Sequence, residues 1–437
     1  MPSNILYIHS HDSGRYLQPY GAAVPTPNLQ RLAEQGVLFS NAFSTAPTCS
    51  PSRAAMLTGQ CAHASGMLGL AHRGFALSRP ERHLANVLAQ GGYRSVLCGI
   101  QHETTSDPRR LGYTEVLPAA AMRRGEVSAA ASTWLDQALC QPWFLSVGFF
   151  ETHREYPAVE PGAGRYLRPP TPVAISLASR DDMAGYHASA AELDTGIGQV
   201  LEALERSGQA DDTLVFYTTD HGLAFPGCKC TLTDHGIGVA MIMRGPRGMR
   251  GGRVCDALVS HLDVMPTLCE LAGLSIPAWC EGVSLWPLIE DTADSVRDQI
   301  TAEVTYHAAY EPQRAVRTLR HNYIRRYGSR ELPVLPNCDD SPSKTVWLEQ
   351  GGGERALPRE ALYDLAADPT ESCNVADDAA QADLLADMRT RLQAWMEATT
   401  DPLLAGDLVR APEGAIANDP AGRSPNEPAA PASQYYH

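Results

Sequence analysis

Short, nearly continuous apolar runs alternate with segments of helical period along roughly the first 290 residues. The runs are NILYI (residues 4–8), RSVLCG (94–99), WFLSVGF (143–149), TLVFYTT (213–219) and VAMIM (239–243). Each has the length and composition of a strand buried on both faces. Between them TPNLQRLAEQG, RHLANVLAQGG and SAAELDTGIGQVLEALERSG place apolar residues every three or four positions, as one-sided helices do. The alternation predicts an α/β architecture, a large and mostly parallel sheet sandwiched by helices, over residues 1–300. The texture then changes. RAVRTLRHNYIRRYG alternates like half-exposed antiparallel strands, and DLLADMRTRLQAWMEAT reads as one amphipathic helix. These define a smaller C-terminal α+β domain, an antiparallel sheet plus a helix, over 301–403. Residues 404–437, rich in Pro, Ala, Gly and Asn, predict an extended arm rather than a packed element, and such an arm could embrace a second copy in a homo-oligomer.

Composition narrows the partners. The chain has 437 residues with a formal net charge of −15, so a general nucleic-acid surface is disfavoured, and an anionic substrate needs a local positive pocket. No apolar run approaches the ~20 residues that span a bilayer. The opening MPSNILYIHSHD lacks the basic and long apolar regions of a secretory leader, so a cytoplasmic location away from membranes is expected. Eleven cysteines, odd in number and without framework spacing, fit reduced thiols. The CKC pair, Cys228 and Cys230, lacks a second cysteine pair for a zinc site.

Polar residues collect where an open parallel sheet binds ligands, just beyond the carboxyl ends of its strands. His9, His11 and Asp12 follow the first run, His102 the second, Glu151 and His153 the third, Asp220 and His221 the fourth. A single histidine there is usually structural, and Asp12 and Asp220 alone would read as a cap and a turn residue. Four strand ends of one character, drawing on 14 histidines in all, point instead to a metal-plus-acid/base site. Asp12, Asp220 and His221, with His11, form the candidate metal set. Oxygen ligands alone suit Ca2+ or Mg2+, and imidazole shifts the preference toward Mn2+. In TCSPSRAAMLTG, Cys49 stands at a helix start where backbone N–H groups favour negative charge, and Arg53 follows one turn later.

Together these segments resemble the type I sulfatase family of the alkaline phosphatase superfamily. CSPSRAAMLTG is similar to the signature in which the cysteine is oxidised to formylglycine. YTTDHG resembles the second metal motif, SHLDVMPTLCELAGL a late catalytic-domain segment, and ALYDLAADPTESCNVA the C-terminal signature. CSPSRAAMLTGQCAHASGMLGL and CDDSPSKTVW are similar to the sulfamidase-like branch. The resemblance spans nearly the whole chain up to about residue 403. It implies a formylglycine at Cys49, supplied by a formylglycine-generating enzyme, whose hydrate attacks sulfur while Arg53 holds it. It implies Asp12, Asp220, His221 and the residue-49 oxygen as ligands of a divalent metal, Ca2+ or Mn2+. It implies His102 in release of the sulfated intermediate, and His153 and Lys229 in sulfate binding and leaving-group protonation. The substrate would be a small sulfated sugar or aryl compound, as a sulfate ester or sulfamate.

Two departures from the family pattern stand out. The first-strand motif is His11-Asp12 where two acids are usual, which resembles phosphonate monoester hydrolases of the same superfamily and keeps that activity as an alternative. The usual GKxH motif is GIQH, with Ile100 in place of the lysine that bridges nucleophile and sulfate. His11, His235 and His307 are the candidates to stand in for it. Ile100 also admits an impaired homologue that only binds anions, although Cys49, Arg53, His102, His153, Asp220 and Lys229 are all kept. Arg73, with His72 and Arg154, is a candidate rim contact for further anionic groups of a substrate.

Overall fold

The computed structural model describes residues 3–118, 124–137, 142–246, 249 and 251–436. Eight strands form the main sheet: β1 (Asn4–Ser10), β2 (Val37–Phe43), β3 (Arg94–Gly99), β4 (Glu115–Leu117), β5 (Trp143–Gly148), β6 (Thr213–Thr219), β7 (Met241–Arg244) and β8 (Arg253–Ser260). Their order is β4-β3-β5-β1-β6-β7-β2-β8. All neighbours are parallel except β7, which runs antiparallel to both β6 and β2. The α/β sandwich expected from the alternating pattern is therefore present.

Alternation along β1 explains the two cores. Ile5 and Tyr7 join an apolar cluster with Leu84, Leu88 and Val264–Leu271 on one face. Leu6 and Ile8 join Leu193, Ile197, Val200 and Leu204 of the long helix Leu177–Arg206 on the other. Each such side chain contributes about 1.5–3 kcal/mol by leaving water. The long helix also holds its neighbour: Asp194 accepts from the backbone N–H of Asn28 and Leu29 at 3.0 and 2.9 Å, capping the helix Pro27–Gln35.

A second, antiparallel sheet follows in the order β12-β11-β10-β9, from β9 (Ile300–Tyr306), β10 (Tyr310–Arg317), β11 (His321–Arg326) and β12 (Glu360–Asp364). The helix Ala382–Thr399 packs on it through Leu385, Met388, Leu392 and Met396. Its other face joins the main sheet in a shared cluster with Phe43, Ile237 and Leu258. A buried ion network reinforces this junction. Arg314 bonds Asp401 and lies 3.3 Å from Glu303, and Glu303 meets His63 at 2.9 Å.

The C-terminal segment corrects an expectation. It is irregular, as its composition requires, but it is not a free arm. Val409, Ala415, Ala417 and Ala432 are buried, Tyr306 donates to the Val409 carbonyl at 2.7 Å, and Asn418 N–H donates to the Ala308 carbonyl at 2.8 Å. Small side chains let this backbone lie close; a Cβ on Gly74 would stand 2.9 Å from the Ala415 Cα. His437 lies outside the described residues. No described helix is long and apolar enough to cross a membrane.

Candidate active site

Sheet order assembles the site. β3, β5, β1 and β6 are consecutive, with Gly99 opposite Gly148, Gly148 opposite His9, and His9 opposite Thr218. Their carboxyl ends therefore deliver His102, His153, His11-Asp12 and Asp220-His221 side by side. Asp12 turns out of β1 in the left-handed region at φ 44°, and its N–H donates to Asp220 Oδ1 at 2.9 Å. Cys230, next to Lys229, is also left-handed at φ 66°. A non-glycine residue in that region costs about 1–3 kcal/mol and persists where surrounding structure holds it. Gly222 is required by close approach, since a Cβ there would lie 1.7 Å from the His235 carbonyl oxygen.

The helix Cys49–Thr58 is buried along its whole length and begins at Cys49. Ser52 Oγ donates to the Asp220 carbonyl at 2.6 Å, fixing the helix start against the β6 end. Cys49 Sγ lies 3.3 Å from His221 Nε2. Burial pushes the Cys49 thiol well up, outweighing the nearby Lys229 and Arg53 charges, so the unmodified side chain is held neutral. Both terminal nitrogens of Arg53 are engaged: Nη2 donates to the Ser10 carbonyl at 2.7 Å and to Asp220 Oδ2 at 3.1 Å, and Nη1 pairs with His9 Nδ1. It braces the Asp220 carboxylate as well as adding charge beside residue 49.

The donor set fits a divalent cation. Ligand atoms of His11, Asp12, Cys49 and Asp220 all lie within 4.8 Å of one another, and all four residues are buried. His221 Nδ1 donates to the Gly222 carbonyl at 3.0 Å, which leaves its Nε2 3.2 Å from Asp12 Oδ1. Two acceptors this close need a cation or a further ring proton between them. Burial works against the Asp220 charge, but His221, Arg53 and His11 hold its carboxyl well below the ordinary range. Around it, Asp12, Asp220 and Asp339 face Arg53 and Lys229, three carboxylates against two fixed cations. An anionic substrate would be repelled by that balance unless a metal reversed it.

On the outer side His153 Nδ1 donates to the Arg154 carbonyl, and its ring meets His11 edge-on at 5.6 Å. His102 stacks on His72 at 5.4 Å, and burial, aided by Arg53, lowers its pKa to about 3. Lys229 Nζ sits 3.1 Å from both Asp12 Oδ2 and Asp339 Oδ2. Burial opposes its charge, but these carboxylates drive its pKa up. His307 is buried near Lys229 and is shifted down by burial and by that charge. Arg73 lies close by, donating to the Ala308 carbonyl at 3.2 Å.

The ring of His235 is not brought to the cluster: its Nδ1 pairs with Tyr16 Oη at 3.1 Å. Its four-residue helix Asp234–Ile237 is held by Arg15 and Arg317 on Asp234, so only the His235 backbone approaches the β6 loop. His11 and His307 do join the site, but both are shifted well down by burial, so neither restores the cation absent at Ile100. Three further residues belong to the site. His9 holds Arg53; its position after the first run was the available signal. His72 stacks on His102. Asp339 lies 110 positions after Lys229 in the chain, and nothing local in CDDSPSK marks it as a partner of that lysine.

Comparison with known proteins agrees with this geometry. A family model described as sulfatase matches residues 3–274, and one described as N-sulphoglucosamine sulphohydrolase, C-terminal, matches residues 228–345. Human N-sulphoglucosamine sulphohydrolase is 28% identical over 481 residues, covering 95% of this chain and 93% of the relative. A protein solved with its substrate D-glucosamine-2-N,6-O-disulfate superposes with a TM-score of 0.72 at 17% identity, covering 92% of this chain and 98% of that one. The phosphonate monoester hydrolase of Agrobacterium radiobacter gives 0.69 at 22% identity, covering 94% and 100%. A fold, a row of strand-end histidines and carboxylates and a family model that spans more than half of the sequence thus coincide, and the chain belongs to the sulfatase family of hydrolases.

Proposed function

We propose that the protein hydrolyses a sulfate ester or sulfamate of a small sugar or aryl compound, with residue 49 working as formylglycine beside a divalent metal. The observation that carries this reading is Cys49 at the first turn of a buried helix, its sulfur clustered with His11, Asp12 and Asp220 within 4.8 Å. Asp12, Asp220, His221 and His11 would hold the metal, which when bound supplies positive charge beside the nucleophile and sulfate oxygens. The hydrated aldehyde supplies a hydroxyl for attack on sulfur and a second hydroxyl through which sulfate is expelled. Arg53 orients Asp220 and keeps positive charge at the helix start. Lys229 binds a sulfate oxygen on the leaving-group side, and His153, whose Nδ1 is bonded to the Arg154 carbonyl, protonates the departing atom through Nε2. His102, neutral and able to accept a proton, serves release of sulfate from residue 49. The neutral imidazoles of His11 and His307 offer hydrogen bonds where Ile100 removes a lysine.

A second reading is hydrolysis of phosphonate monoesters. His11 in the ligand cluster, where a second acid is usual, favours it, as does the likeness to the phosphonate monoester hydrolase. The test has two parts. Mass analysis of the peptide holding residue 49, after coexpression with a formylglycine-generating enzyme, should show conversion of the thiol to the aldehyde. Turnover of aryl sulfate should then exceed that of the matched aryl phosphonate; a preference for the phosphonate by orders of magnitude would overturn the sulfatase reading. Unconverted cysteine in an active preparation would overturn the formylglycine mechanism.

A further inference from the structure

We propose that Asp339 determines specificity on the leaving-group side, accepting hydrogen bonds from an ammonium or hydroxyl donor of the departing group and rejecting a second anion beside the scissile bond. This rests on the hydrolase reading above and adds to it the chemistry of the leaving group.

Three side chains form a line out of the site. Asp12 is 0% exposed, Lys229 bridges from it at 3.1 Å, and Asp339 lies 3.1 Å beyond with its side chain 19% exposed. Asp339 Oδ2 is itself buried, so that exposure belongs to the rest of the side chain. Among the described residues no hydrogen-bond donor meets Oδ1. One carboxylate oxygen thus faces the lysine as an ion pair, and the other can accept from a ligand.

The loop that presents Asp339 is built to hold it there. Lys344, 3% exposed, donates to the carbonyls of Leu335, Cys338 and Arg423 and to Asp340 Oδ1, all between 2.7 and 3.0 Å. Ser341 caps the helix Pro342–Glu349 immediately after it. Asp340 turns away into bonds with Lys344, Ser424 and Asn426. Only Asp339 of the acidic pair enters the site. A fixed carboxylate beside an anion pocket opposes anion binding, and in a poorly solvated site this opposition reaches several-fold to hundredfold factors. Such a group is useful where it discriminates between leaving groups.

The test compares kcat/KM of metal-loaded, converted wild type and Asp339→Asn on three aryl sulfates: phenyl, 2-(ammoniomethyl)phenyl and 2-carboxyphenyl. Asparagine keeps the side-chain shape, and Asp339→Ser repeats the test should the amide perturb folding by thermal melt. We expect the ammonium-to-carboxylate preference of wild type to narrow about 30-fold or more in D339N, chiefly through faster 2-carboxyphenyl turnover. An equal fall on all three esters would mean that Asp339 serves only Lys229, and would overturn the proposal. Binding of the phenolic products, measured by calorimetry, separates the two readings. If wild type hydrolyses none of the esters, the hydrolase reading fails. The assignment of Asp339 then stands only if salicylate binding tightens and 2-hydroxybenzylamine binding weakens in D339N, and unchanged binding overturns it.

Discussion

His9→Phe tests whether Asp220, the carboxylate proposed to hold the metal, is positioned through a relay that starts inside the sheet. His9 stacks on Tyr7 with centroids 4.5 Å apart and 21° between planes, which phenylalanine preserves. What is lost is the acceptor for Arg53 Nη1 and the long contact of Nε2 with Ser146 Oγ at 3.4 Å. Gly148 leaves room for this ring, since a Cβ there would stand 2.5 Å from His9 Cε1. One charged donor then becomes buried and unsatisfied, at a cost of about 1.5–3 kcal/mol. Arg53 keeps Ser10 and Asp220 as partners, so part of that cost falls on folding and part on the aim of Asp220. Half of it, near 1 kcal/mol, is roughly five- to tenfold in divalent-metal affinity. The assay is metal affinity by competition with a chromophoric chelator on the unconverted cysteine form, with urea unfolding of the same samples. His9 lies outside the CSPSR motif, so maturation does not confuse the result. Metal affinity within twofold of wild type, together with a stability loss below 0.5 kcal/mol, both small on the scale of one charged hydrogen bond, would refute the relay.

Two further outcomes concern the junction between the sheets and the tail. Burial pushes His63 down, but Glu303 and Asp401 more than offset it, so its folded pKa exceeds 6.5. Its contribution is complete below pH 6.5 and is lost as pH rises through the folded value. Burial opposes the Glu303 charge too, yet His63 and Arg314 lower it from 4.5 to about 2, so its contribution is lost as pH falls from 4.5 toward 2. Urea unfolding should show this term at its maximum between those limits, and His63→Gln should flatten the loss on the alkaline side; an unchanged slope would exclude the pair. Deleting residues 408–437 removes buried Val409, Ala415, Ala417 and Ala432 and should cost about 3–5 kcal/mol. Because the tail is satisfied by its own body, light scattering should give the same number of subunits with and without it.

The central strands and the covering helices were legible because their signals are local. An apolar run such as 213–219 reports burial on both faces, and the helix start at Cys49 is written in its neighbours. The strand ends could be expected to meet at one place because a parallel sheet has one binding edge. β2 was not legible: Ser40 and Asn41 interrupt its apolar pattern, and they are accommodated only because β8 supplies Asp256 and backbone carbonyls to bond them. The separation of His235 from the site, the packing of the tail and the meeting of Lys229 with Asp339 were likewise decided by tertiary structure. Sequence by itself determined which residues could do chemistry at each strand end. Which distant loop supplies the next carboxylate, and which histidine faces away, depended on packing between segments tens to hundreds of residues apart, where no local periodicity carries the information.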